Sequence, residues 1–215
     1  MFDLRLKHLT LLVSLSFGLM ACANLAPTQS GFLTDYQLMQ NDTALLRSFS
    51  AADLNLDLYT QLTIEPVRVL VTAKSGNHKQ LQALAQDFHR NLQNDLQPVF
   101  YKRSASKQKG LRLTTAITAV DSSSYNLNLL STVFLLAPLD TGGISVELEI
   151  QDITSGETLY TQTRSINGSV TQFRASFDPF GHADIGLRTI SKDLSKMITA
   201  KQATYRLSSS KHQYK

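Results

Sequence analysis

The feature that most constrains the fold is a regular alternation of side-chain type between residues 144 and 151. Apolar and polar residues take turns along this stretch, which reads Ile144, Ser145, Val146, Glu147, Leu148, Glu149, Ile150 and Gln151. Successive side chains of a β-strand point to opposite faces of its sheet. The pattern therefore predicts a strand with one buried apolar face and one polar face, on which Glu147 and Glu149 meet solvent.

Other stretches predict further strands. Residues 158–166 have strand character and follow Ser155-Gly156-Glu157, so the two runs predict a β-hairpin in which Gly156 supplies a positive-φ position. Alternation also predicts strands over residues 67–72, expected to be central in the sheet, and over residues 111–119.

Two stretches carry apolar residues at helical spacing. The first covers residues 81–96 and is expected to end at Pro98, with a short strand over residues 99–101. The second follows Asp178-Pro179, which has the composition of a helix cap and first helical position. The order of elements predicts an α+β domain over residues 30–202, with one mixed, mostly antiparallel sheet and two helices packed on one face. Residues 203–215 are expected to form a basic polar tail.

The single cysteine, Cys22, directly follows an apolar run over residues 9–20. Twelve residues are too few to cross a bilayer as a helix, and the run is typical of a secretory signal peptide. The sequence Leu19-Met20-Ala21-Cys22 resembles a bacterial lipobox. The resemblance implies cleavage between Ala21 and Cys22 and attachment of fatty acyl chains, palmitate among them, to Cys22.

The residue after the lipidated cysteine also carries information. Ala23 stands there instead of aspartate, which resembles the signal for export to the outer membrane. Residues 1–21 are then a signal peptide and residues 22–29 a polar tether, which reaches about 25 Å at most when extended. We therefore expect a Gram-negative outer-membrane lipoprotein whose domain lies in the periplasm, close to its membrane.

Two motifs resemble a known family. Residues 30–36 read Ser-Gly-Phe-Leu-Thr-Asp-Tyr, and residues 142–152, with Ser155-Gly156-Glu157, form an alternating strand that ends in aspartate before a turn. Both are similar to domain-of-unknown-function family 3313, a set of uncharacterised Gram-negative lipoproteins. The resemblance implies a shared fold over nearly the whole mature chain and supplies no catalytic residues. This chain has no tryptophan, whereas such proteins often carry one near the final helix.

Composition and motif spacing argue against several kinds of chemistry. A single cysteine excludes an internal disulfide and a cysteine-based zinc site. The formal net charge of +4 comes without a dense stripe of lysine and arginine, so nucleic-acid binding is not expected. Residues 104–107 and 208–211 fit Ser-x-x-Lys, but the partner motifs that penicillin-binding enzymes require are absent.

The histidines do not form a recognisable metal site. His89 is expected on the solvated side of the first helix. His182 could join Asp178 and Asp184 in a metal cluster, but Asp178 is better explained as a helix cap and Asp184 as a first-turn carboxylate. We therefore predict no cofactor and no metal.

The apolar stretch over residues 127–137 has two interpretations. It is either a core element or an exposed patch that meets a protein partner, another copy of the chain or the membrane. The candidate patch residues are Leu129, Leu130, Val133, Phe134, Leu135 and Leu136.

These features together favour a non-enzymatic lipoprotein that binds another envelope component. A self-associating structural envelope protein is the first alternative. A periplasmic hydrolase is the second, since distant Ser, His and Asp residues could still converge in the fold.

Overall fold

A computed structural model describes residues 25–52, 54–71, 78–101, 109–124, 126, 129, 131–133, 141–169 and 171–212. The predicted signal peptide, the cleavage site at Ala21 and the lipidation site at Cys22 lie outside the described residues. Within the described part, the chain forms seven strands and two long helices: β1 Gln40–Thr43, β2 Leu46–Ser50, β3 Tyr59–Ile64, β4 Arg68–Val69, α1 His78–Tyr101, β5 Lys109–Asp121, β6 Gly143–Asp152, β7 Thr158–Asn167 and α2 Gly181–His212.

All seven strands belong to one sheet. Its order is β1-β2-β7-β6-β5-β3, and β4 pairs with β5 beyond the end of β3. β3 and β4 run parallel to β5, and the other neighbouring pairs are antiparallel. Helix α1 makes the crossover that a parallel connection requires. The predicted α+β class, with one mixed and mostly antiparallel sheet, is confirmed.

The apolar core lies between the sheet and the two helices. The apolar residues of β6 are buried against the helical stripes, as the alternation predicted; the helix members are Phe88, Leu92, Leu96, Leu187, Ile190, Leu194 and Ile198. Polar contacts also join the layers. The hydroxyl of Ser191 donates to Oδ2 of Asp95 at 2.7 Å, which links the two helices, and Arg164 of β7 pairs with Asp193 of α2 at 2.8 Å.

Helix α1 does not stop at Pro98. It continues to Tyr101, so the predicted strand over residues 99–101 is wrong. Phe100 continues the buried stripe of Phe88, Leu92 and Leu96 at a spacing of four residues, and it is itself buried. The burial of this side chain outweighs the one helical hydrogen bond that a proline cannot donate.

The first strand prediction also needs correction. Residues 67–72 were expected to form a central strand, but among residues 67–71, which the structure describes, the strand is Arg68–Val69, and it lies at the edge of the sheet beside β5. Strands β1, β2 and β3, in residues 40–64, were not predicted at all. Helix α2 continues to His212, so the part of the expected polar tail that the structure describes is helical.

No helix among the described residues has the length and apolarity needed to cross a membrane.

Candidate functional site: a polar strap over two buried glutamates

The face of the sheet opposite the helices does not meet solvent where the sequence predicted it. Glu147 has a relative exposure of 0% and Glu149 of 4%, so the prediction of a solvated pair is wrong. The cause is an irregular N-terminal segment, residues 25–36, whose polar groups bond to this face. We call this segment the strap.

The carboxylate of Glu147 holds the centre of the strap. Its Oε1 accepts hydrogen bonds from the Thr28 hydroxyl at 3.0 Å and from the Ser30 backbone amide at 2.8 Å. Its Oε2 accepts from the Ser30 hydroxyl at 2.9 Å and from the Tyr36 hydroxyl at 2.5 Å. Four donors offset the cost of burying one carboxylate, because a buried charge is tolerated only when it is hydrogen-bonded.

Glu149 makes a second, smaller attachment. The Thr34 hydroxyl donates to its Oε2 at 3.0 Å, and the Thr158 hydroxyl of β7 donates to its Oε1 at 2.6 Å. Glu147 and Glu149 lie on the same face because they are two residues apart on one strand. The strap therefore follows β6 along its length.

The residues that resemble the family motif explain the shape of the strap. Gly31 has a φ of +83°, a conformation that side chains disfavour. The backbone amides of Gly31 and Leu33 both donate to the Tyr36 hydroxyl oxygen, at 2.9 and 3.2 Å, which closes the loop. Asp35 accepts from the Gln37 amide at 2.7 Å, and Leu33 is buried. Residues 30–36 thus form a closed loop, and the carboxylate of Glu147 accepts the hydrogen bonds that attach this loop to the sheet.

The strap begins to bond at Leu25. The Leu25 amide donates to Oδ1 of Asn167, at the end of β7, at 2.8 Å. The Ser145 hydroxyl donates to the Ala26 carbonyl at 3.1 Å. Residues 25–29 were expected to belong to a tether, and the structure attaches them to the sheet.

The ionisation states of the strap face keep the strap attached to the sheet. Burial, reinforced by the hydrogen bond to Glu147, raises the pKa of Tyr36 above 10.0. The Tyr36 hydroxyl therefore stays protonated and keeps donating to the carboxylate. General acid–base work would require a carboxyl group within reach of a substrate, and the Glu147 side chain is covered by the strap.

The β6–β7 turn is built around Asp152. Its carboxylate accepts from the Tyr59 hydroxyl at 2.9 Å and from the amides of Thr154 and Ser155 at 2.7 and 3.2 Å. Gly156 has a φ of +73°, as the turn prediction required. Burial raises the pKa of Asp152, but these hydrogen bonds and the nearby Lys109 outweigh that effect, and the pKa is lowered overall.

The two candidate histidines have different surroundings. His182 is buried, and its ring nitrogens lie 2.9 Å from the Ser176 hydroxyl and 3.0 Å from the Gln172 amide oxygen. Asp178-Pro179 was predicted to be the cap and first helical position, but α2 begins only at Gly181; Asp178 accepts from the Phe180 amide in the turn before the helix. Asp184 pairs with Arg188. No cluster of three or more metal-ligating side chains occurs in the part of the chain that the structure describes.

His89 is more enclosed than the sequence predicted. It is partly buried at a recess of 400 Å³ between α1 and the residues before β4, where Pro66 and Val67 lie. The ring is therefore less solvated than expected, because the connection to β4 packs beside this side of the helix.

An open groove of 470 Å³ borders the strap near β4. Its lining includes Phe32, Glu65, Arg68 and Gln151. The Arg68 guanidinium lies 5.5 Å from the centre of the Phe32 ring, a cation–π distance. No local sequence pattern indicated this groove, because its walls come from four separate segments.

The candidate partner patch is exposed in its described members. Leu129 and Val133 are helical and have relative exposures of 46% and 67%. The remaining candidates, Leu130, Phe134, Leu135 and Leu136, lie outside the described residues. Of the two interpretations left open by the sequence, these two side chains agree with an exposed patch. Phe173, 46% exposed, was not predicted, because a single phenylalanine in a polar loop has no pattern.

Comparisons with known proteins give one family and a distant structural likeness. The model of the family described as "Protein of unknown function (DUF3313)" matches residues 28–194. No curated protein matches the chain.

Solved structures of the PelC dodecamer from Paraburkholderia phytofirmans are similar at 9% identity. One has a TM-score of 0.42 and covers 73% of this chain and 95% of its own. A point variant of it has a TM-score of 0.40 and covers 70% and 96%.

Proposed function

The chain belongs to the DUF3313 family, and for this member we propose an outer-membrane lipoprotein that acts in the periplasm as a non-enzymatic binding or accessory factor of the cell envelope. Its membrane attachment is the lipidated Cys22.

The observation that carries the proposal is the hydrogen bond between Leu25 and Asn167. Only two residues, Ala23 and Asn24, separate Cys22 from Leu25, so three residue-to-residue steps join them. An extended chain gains about 3.5 Å per residue, so the folded domain lies within about 10 Å of the acylated residue. A free tether over residues 22–29 would allow a separation of up to about 25 Å. A protein held in this way works on partners that come to the membrane surface.

The strap face supports binding in preference to catalysis. Its two glutamates are buried and hydrogen-bonded to the strap, and the buried His182 is hydrogen-bonded within the fold. These are the roles of structural polar groups, since a catalytic group must reach a substrate.

The anchor is tested by replacing Cys22 and Ala23 separately. We expect Cys22→Ala to abolish acylation, measured by mass spectrometry of the N-terminal peptide, and to release the protein from membranes. Ala23→Asp is expected to keep the acyl chains but to retain the protein in the inner membrane. A Cys22→Ala protein that still sediments entirely with membranes would contradict the proposal.

Partner binding is tested by crosslinking in intact cells with a photoreactive residue at Arg68, in the groove beside the strap. Adducts with one defined envelope protein support the binding function. The matched control is the same residue at Arg90, on the exposed side of α1. Adducts that are equally abundant and diverse at both positions would contradict a specific binding surface.

Self-association is the second candidate function, and the exposure of Leu129 and Val133 favours it. Crosslinking from Val133 would then give adducts of twice the subunit mass, with both halves derived from this chain.

A further inference from the structure

Three chain segments meet at one end of the sheet. β5 ends at Asp121, which pairs with Gly143 at the start of β6, and Gly143 pairs with Asn167 at the end of β7. Because Leu25 bonds to Asn167, the strap enters the fold at this same end. We call it the anchor end. The opposite end carries the β6–β7 turn.

The connections that leave the anchor end are tied to one another. The Ser123 amide donates to the Pro179 carbonyl at 3.2 Å, and the Gly168 amide donates to the Gly142 carbonyl at 2.9 Å. The connection between β5 and β6 contains Leu129 and Val133, and the connection after β7 contains Phe173. Both connections leave the sheet at the anchor end.

These three side chains are large, apolar and exposed. Leu129 and Val133 are both helical and four residues apart, a spacing at which helical side chains lie on the same side. Phe173 packs its ring against Phe177 with a centroid distance of 5.1 Å and stands beside the exposed Arg174. Exposed aromatic and aliphatic side chains next to a cation are typical of surfaces that enter a lipid interface.

We propose that the anchor end lies on the lipid leaflet that holds the acyl chains of Cys22, and that Leu129, Val133 and Phe173 enter the interfacial zone of that leaflet. This inference rests on the proposed lipidation. It adds an orientation, with the anchor end toward the lipid and the β6–β7 turn toward the periplasm.

The position of the anchor favours lipid over another occupant. With about 10 Å of chain between Cys22 and Leu25, little space remains between the anchor end and the headgroups. A protein partner or a second copy would have to fit into that space. Once the acyl chains are inserted, they hold the domain at the lipid surface at a high effective concentration. A small apolar surface is then sufficient to keep the anchor end in contact with lipid.

The absence of tryptophan from the sequence makes the test direct. One tryptophan is introduced in each of three full-length lipidated proteins, by Phe173→Trp, Val133→Trp or Ile153→Trp. Ile153 is the matched control, because it is apolar and 42% exposed but lies at the β6–β7 turn. Each protein is reconstituted into vesicles of phosphatidylethanolamine and phosphatidylglycerol, with and without brominated acyl chains.

We expect the emission of the tryptophans at positions 173 and 133 to shift to the blue and to be quenched by the brominated lipid. The emission of the tryptophan at position 153 should show neither effect. Equal emission and quenching at all three positions would overturn the proposed orientation. So would a blue shift without bromine quenching that grows with protein density, since a second copy would then cover the patch.

Failure of the anchor is recognised separately. If mass spectrometry finds Cys22 without acyl chains and the protein stays out of the vesicles, the proposed function fails and the orientation fails with it. If Cys22 is acylated and the protein enters the vesicles, but the tryptophans at 133 and 173 are not quenched, only the orientation is wrong.

Discussion

The hydroxyl of Tyr36 lies 2.5 Å from Oε2 of Glu147, which joins residues 111 positions apart in the sequence. The same hydroxyl oxygen accepts hydrogen bonds from the amides of Gly31 and Leu33. One side-chain oxygen thus closes the loop of the strap and attaches the loop to an inner strand of the sheet. The conformation of the strap and its attachment to β6 are therefore coupled.

Replacing Glu147 with alanine should detach the strap. The change removes the acceptor of four hydrogen bonds, and buried donors without an acceptor are costly. We expect Glu147→Ala to lower the free energy of unfolding by about 2 kcal/mol, measured by urea denaturation. Proteolysis within residues 25–36 should also accelerate.

The control for this variant is Glu157→Ala. Glu157 is exposed and lies in the β6–β7 turn that follows the same strand, so its loss should change stability by no more than about 0.5 kcal/mol. Equal stability of the two variants would show that the carboxylate of Glu147 does not hold the strap.

Two tyrosines should make the fold sensitive to alkaline pH. Burial, together with Glu147, raises the pKa of Tyr36, and burial raises the pKa of Tyr160 to about 12. A raised pKa in the folded state means that the neutral hydroxyl stabilises the fold below the unfolded pKa of about 10, and this stability is lost as the pH rises through the folded pKa.

Tyr36→Phe separates the two contributions. We expect the variant to be about 1 kcal/mol less stable than the parent at neutral pH, because the strap loses its central hydroxyl. The difference should shrink above pH 10. Absorbance titration of phenolate should show one fewer late-ionising tyrosine in Tyr36→Phe, and again one fewer in Tyr160→Phe. An unchanged titration in both would contradict the assigned burial.

The sequence predicted the hairpin well because its information is local. β6 and β7 were placed nearly to the residue, and the apolar side chains of β6 face the core as expected. Alternation reports the polarity of each face, but it cannot report whether another segment covers the polar face. A signal for the strap did exist in the hydroxyl donors of residues 28–36, which match the acceptors Glu147 and Glu149.

The strands that the sequence did not predict depend on pairing with distant segments. β1 has the sequence Gln-Asn-Asp-Thr and is exposed throughout, so no apolar pattern distinguishes it from a loop. Its pairing is decided by neighbouring strands, which a local pattern does not contain. At Pro98 the local signal was strong but misleading. It predicted the end of the helix, whereas the helix continues through it and buries Phe100.

Asp152 should contribute to stability in the opposite pH range from the tyrosines. Its folded pKa lies below 3.8, so its contribution is present above the unfolded pKa and is lost as the pH falls through the folded pKa. We expect Asp152→Asn to cost about 1 kcal/mol at neutral pH, and the deficit to diminish under acid conditions. Urea denaturation across a pH series measures this, with Glu157→Gln as the charge-matched control. A deficit that persists unchanged in acid would contradict a role for the ionised carboxylate.

Alanine substitutions of Gly31 and Gly142 separate the cost of backbone strain from the cost of a close contact. Both have positive φ, at +83° and +60°. A Cβ at Gly31 would meet nothing within 4 Å, whereas a Cβ at Gly142 would lie 2.6 Å from the carbonyl oxygen of Asp121. Gly31→Ala should therefore cost about 1 kcal/mol from backbone strain alone.

Gly142→Ala should cost more, about 3 kcal/mol, because the backbone of Asp121 must also move away from the new methyl group. That shift would disturb the pairing of Asp121 with Gly143, where β5 and β6 meet at the anchor end. Urea denaturation of the two variants gives the comparison. If both cost the same, the backbone conformation accounts for both glycines, and the contact with Asp121 does not require one at position 142.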